Sequence, residues 1–80
     1  MGKVVAAEEN YLNAISLYST LSPQDFSYAN CLYFYGVMLK SSDRKAEAII
    51  RIEAALQVYL HNQSPDDVTD CELELQQLRN

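Results

Sequence analysis

Apolar residues recur along this chain at helical spacing, most clearly between Asp43 and Leu60, DRKAEAIIRIEAALQVYL. Ala48 and Ala55 stand seven residues apart with Ile52 between them. All three share one face of a helix, with two small side chains where a second helix can come close. The same face occurs earlier: Ala7, Tyr11, Ala14 and Tyr18 precede Ala48, Ile52, Ala55 and Tyr59 by 41 residues at every position. A repeat of this length is the mark of stacked helical units, each of which buries its apolar face against the next.

From residue 3 to 21, Val4, Ala7, Tyr11, Ala14, Ile15, Tyr18 and Leu21 keep the helical pattern, while Glu8, Glu9, Asn10 and Asn13 form a polar face. Ser22-Pro23-Gln24-Asp25 then reads as a helix start. Ser22 can accept from free amides, Pro23 suits a first turn, and Asp25 complements the positive end of the dipole. The second helix is therefore predicted over 23–41. Its centre, YANCLYFYGVML, is apolar almost all round, as in a helix sandwiched between others. Gly36 costs ~1 kcal/mol there relative to alanine. Close approach of a neighbouring helix would offset that cost; the plain alternative is tolerance of a poor helix former.

Lys40-Ser41-Ser42-Asp43 reads as a tight turn, with Ser42 or Asp43 capping a third helix over 43–61. Ser64-Pro65-Asp66-Asp67 repeats the start signal 42 residues after Ser22 and opens a fourth helix over 64–79. The stripe of that helix is Val68, Cys71, Leu75 and Leu78, which leaves Leu73 outside it, turned toward a neighbour from outside the chain. The fold class is all-α: four antiparallel helices joined by short turns, in a single domain over 1–80 with no linker and no low-complexity segment.

Composition narrows the function classes. Eighty residues make one small domain, whose stability margin is thin unless it packs on more protein. A net charge of −5 disfavours nucleic acid and a basic membrane-surface helix. No apolar run approaches the ~18–20 residues that span a bilayer. The opening MGKVVAAEEN has only a short apolar stretch before two acids, so no signal peptide is expected. Cys31 and Cys71, forty residues apart in predicted helices, read as free thiols in a reducing, cytoplasmic setting.

Gly36, Ala48, Ile52 and Ala55, at intervals of twelve, four and three, resemble the tetratricopeptide repeat signature of a glycine in the first helix and alanine, a large apolar residue and alanine in the second. Glu47, Ile49 and Leu56 also fit its usual residues. The 41–42-residue period resembles the longer variant found in kinesin light chains. In that register residues 3–21 resemble the second helix of one repeat, 23–61 a complete repeat and 64–79 the first helix of the next. Gly36 has no good equivalent in the last helix, where an offset of 42 gives Leu78 and 41 gives Gln77.

The resemblance implies a segment of an α-solenoid whose first helices line a concave groove. On this chain the inner positions would be Asn30, Tyr33, Val37 and Lys40, joined by Glu72 and Leu75 from the last helix. The implied function is a scaffold or adaptor that holds a partner peptide or helix, with no cofactor and no metal. Tyr33 can be core or partner contact, and both readings stand; Tyr35 is read as core. A known subclass grips acidic chaperone tails with Lys and Asn on inner helices, but Tyr33 and Val37 occupy those positions here, which argues against it. The alternative is a structural or self-associating subunit. The chain starts on a second-type helix and stops on a first-type helix, so each end lacks its usual mate.

No catalytic constellation is present. The single histidine, His61, falls at a helix end, where it complements the negative terminus when protonated, and it lacks a nucleophile or orienting carboxylate. Asp66, Asp67, Asp70, Glu72 and Glu74 do not follow a calcium-loop spacing and read as a solvated, dipole-favoured face. An enzyme is not expected.

Overall fold

The computed structural model describes the backbone of residues 2–80 and the side chains from Ala6 onward. Its helices are α1 (Gly2–Leu21), α2 (Phe26–Ser41), α3 (Lys45–His61) and α4 (Pro65–Arg79), and no strand occurs among the described residues. Three or four residues join each helix to the next, too few for anything but antiparallel packing. α1 lies on α2, α2 on α3 and α3 on α4. α2 also touches α4 along one edge, so α2, α3 and α4 share a core that α1 flanks.

The core is centred on α3. Ala48, Ile52, Ala55, Val58 and Tyr59 are buried there, opposite Ala29, Leu32, Tyr35 and Leu39 of α2 and Cys71, Leu75 and Leu78 of α4; α1 adds Ile15. Gly36 marks the closest approach of α2 to α3. A Cβ at this position would run into Ile52 Cγ1 and lie 3.4 Å from the Ala48 carbonyl oxygen. Close approach, rather than mere tolerance, is what the missing side chain provides.

Two helix starts differ from the expectation. α2 begins at Phe26 rather than Pro23, and its cap is Asp25, whose carboxylate accepts from the Ser27 amide at 2.7 Å. Ser22 instead continues α1 by donating its amide to the Tyr18 carbonyl. A charged acceptor one step before the apolar run caps as well as a serine does, and it leaves Ser22–Asp25 free to reverse the chain. Leu21, expected on the buried stripe, is 71% exposed at the last residue of α1, beside the turn. Val4, expected on the same stripe, lies outside the described side chains.

α3 begins at Lys45, and neither Ser42 nor Asp43 caps it. Asp43 takes a left-handed backbone with φ 59°, while the Arg44 amide reaches the Leu39 carbonyl and the Asp43 amide the Lys40 carbonyl. That is a Schellman closure, which satisfies the last carbonyls of α2. The α3–α4 turn repeats it: Gln63 has φ 55°, with Ser64 bonded to Tyr59 and Gln63 to Leu60. At the start of α4 the cap and Pro65 stand where the sequence placed them, but the Ser64 hydroxyl donates to Asp67 Oδ2 at 2.5 Å rather than accepting a backbone amide.

Candidate interaction surface

Asn30, Tyr33, Val37 and Lys40 follow one another at three- and four-residue steps along α2, on its border with α4, and all four are half-buried. Their polar atoms are largely engaged inside the fold. The Tyr59 hydroxyl donates to Asn30 Oδ1 at 2.6 Å, and Lys40 Nζ reaches Glu74 Oε1 at 2.8 Å and Gln77 Oε1 at 2.6 Å. Lys40 therefore ties α2 to α4. Tyr33 meets the Phe34 ring edge-on at 5.5 Å. Burial pushes its phenol pKa up, and Glu74, Asp70 and Asp67 of α4 push it the same way.

From α4, Glu72 is exposed, whereas Leu75 is 4% exposed and belongs to the core. Leu75 is thus corrected from a partner contact to a packing residue: its position in the stripe with Cys71 and Leu78 turns it toward α3. Leu73, left outside that stripe, is 51% exposed. The surface that remains on α2 is Tyr33 and Val37, with Asp67, Asp70 and Glu74 of α4 near the Tyr33 phenol. Burial pushes the Tyr59 phenol and the Cys71 thiol up, the thiol to about 12, with Asp67 adding to both. Cys71 therefore stays a neutral, packed side chain. Cys31 is also a free thiol, half-buried and pushed up by burial.

The sequence places Glu8 on a polar face of α1, and the structure ties it into the fold. Glu8 Oε2 accepts from the Tyr35 hydroxyl at 2.6 Å and pairs with Arg44 at 2.8 Å. These two bonds, the tyrosine's first, hold the Glu8 carboxyl below its ordinary range. Arg44 also grips Glu47 with a two-pronged contact at 2.7 and 2.8 Å, the fork geometry that suits guanidinium to carboxylate. Tyr35 is core, as expected; Tyr11 stacks on it at 5.8 Å and the Arg51 guanidinium lies 5.2 Å over its ring. The network clamps α1 to the α2–α3 turn. No periodicity rule could find it, since Glu8, Tyr35 and Arg44 are far apart in sequence and lie on α1, on α2 and in the α2–α3 turn.

The repeat residues divide into two groups. Gly36, Ala48, Ile52 and Ala55 meet in the core. Ala7, Tyr11 and Ala14 are half-buried and, with Asn10 and Cys31, line an open groove of about 390 Å³ between α1 and α2. Two further hollows flank Leu60 at the turn end of the molecule: one runs over Ser64, Pro65 and Val68, the other over Pro23, Gln24 and Val58. Among the described residues no cluster of His, Cys, Asp and Glu is arranged to hold a metal ion, and no helix is long and apolar enough to cross a membrane. Comparison with protein-family models, with characterised proteins and with solved structures finds no match to this chain.

Proposed function

We propose that this chain is a protein-interaction module of tetratricopeptide type, a segment of α-solenoid in which α1 is the second helix of one unit, α2–α3 a complete unit and α4 the first helix of the next. The observation that carries this reading is the seat of Gly36 against Ile52 and Ala48. It joins the residues of the repeat signature in one helix–helix contact, and the same stripe recurs on α1.

The partner-binding surface in this reading is the α2–α4 face. Tyr33 and Val37 are its apolar anchors, Leu73 extends them, and Asp70 and Glu74 flank them. Asn30 and Lys40 hold the face in shape through Tyr59 and Glu74. α4 carries Asp66, Asp67, Asp70, Glu72 and Glu74 against the one cation Arg79. The partner that complements this field is a basic peptide or helix with apolar side chains, in a cytoplasmic setting.

The test is capture of partners by the wild-type chain and by a Tyr33→Ala, Val37→Asp variant of unchanged helicity. Loss of the captured proteins from the variant is expected, as is weaker capture at raised salt. Undiminished capture by the folded variant would place binding elsewhere. A second reading, completion of a larger helical assembly, is favoured by one observation: the repeat face of α1 is open where that of α3 is closed.

A further inference from the structure

The chain contains the same helix face twice, once covered and once bare. In α3, Ala48 and Ala55 are fully buried and Val58 is 7% exposed; 41 positions earlier in α1, Ala7 and Ala14 are half-open and Leu17 is 61% exposed. These pairs are apolar in both copies, so what differs is the cover. α3 has α2 seated on it, with Gly36 at the point of closest approach. α1 has the groove lined by Ala7, Asn10, Tyr11, Ala14 and Cys31. That groove is continuous with the buried α1–α2 interface, because Tyr11 is both its floor and the stacking partner of Tyr35.

Charge points the same way. Residues 10–24 contain no Asp, Glu, Lys, Arg or His, whereas the outward side of α4 exposes Thr69, Glu72, Gln76 and Arg79, with Leu73 the one apolar residue among them. A face without charge matches an apolar, uncharged helix face and gives no hold to a charged one. The two faces are therefore not equivalent: the outward side of α4 is mostly polar, and the α1 face is an open, uncharged groove.

We propose that the Ala7–Leu17 face of α1 is a docking site for an amphipathic helix of the α2 kind, with a glycine or alanine opposite Tyr11 and leucine-sized side chains four residues before and three after it. These are the positions that Leu32, Gly36 and Leu39 take in the helix that covers α3. The proposal rests on the repeat reading of α1 and α3 and is independent of the α2–α4 face.

The probe is a labelled synthetic peptide of sequence 26–41, with lysines appended at both ends for solubility, titrated against the full chain and followed by fluorescence anisotropy. Saturable binding is expected, together with roughly tenfold or greater weakening by Leu17→Glu. Leu17 is largely exposed in the free chain, so that variant keeps its fold, which circular dichroism checks. A peptide carrying Gly36→Leu should not bind, and a Tyr33→Ala chain should bind as wild type, which separates this site from the α2–α4 face. Absence of saturable binding, or binding indifferent to Leu17→Glu, overturns the proposal. So does a concentration-dependent dimer of the chain alone, seen by sedimentation and abolished by Leu17→Glu, since the face would then belong to a second copy.

Discussion

α1 and α3 carry the same four-residue stripe and meet different fates. Ala48, Ile52, Ala55 and Tyr59 are sealed between α2 and α4, while Ala7, Tyr11, Ala14 and Tyr18 are half-open on the flank of α2. A helical stripe states what a face can bury; its neighbours decide how much it does bury. The two helices are also held differently. α3 is fixed by side-chain packing around Ile52, whereas α1, among its described side chains, buries Ile15 alone and is clamped by the Glu8 contacts to Tyr35 and Arg44. A helix anchored by a polar clamp and a half-covered face is the element most easily separated from the rest.

The comparison can be broken most sharply by enlarging equivalent alanines. Ala48→Leu or Ala55→Leu should destabilise by ~1–3 kcal/mol, since no space exists around either residue. Ala7→Leu or Ala14→Leu should stay within about 0.5 kcal/mol of wild type, because the groove takes up the added methyl groups. Urea unfolding of the four variants measures the difference. Equal losses at both sets of positions would mean that the α1 face is as closed as that of α3.

A smaller effect concerns the clamp. The folded-state pKa of Glu8 is lowered by Tyr35 and Arg44. Its contribution to stability is therefore present in full above the ordinary glutamate range and is lost as pH falls through the lowered folded value. Glu47, lowered chiefly by Arg44, adds a term of the same sign. Urea midpoints measured across the acidic range should decline more steeply for wild type than for Glu8→Gln, and the two curves should converge at the acid end. Parallel curves would mean that the Glu8 bonds add nothing to holding α1.

Most of the fold was legible in the sequence because its main determinant is periodic. The four helices, the burial of Tyr35, the Gly36 approach and the Cys71–Leu75–Leu78 stripe all follow from spacing and side-chain size. Start signals were less readable. Ser22-Pro23 and Ser64-Pro65 look alike, yet one lies in a connection and the other begins a helix, since a competing cap at Asp25 sits nearer the apolar run. The left-handed residues Asp43 and Gln63 carry no glycine signal at all. The candidate surface was the least legible part. Spacing places Asn30, Lys40 and Leu75 on a face but cannot tell that Tyr59, Glu74 and the core already claim them.

Residue-resolved native-state hydrogen exchange tests the central claim most directly, since it reads the opening free energy of each helix in one experiment. The amides of α2 and α3 should exchange only through global unfolding, while those between Asn10 and Leu21 in α1 open at a distinctly lower free energy. Equal protection of α1 and α3 would contradict the account, because the two copies of the repeat face would then be equally covered.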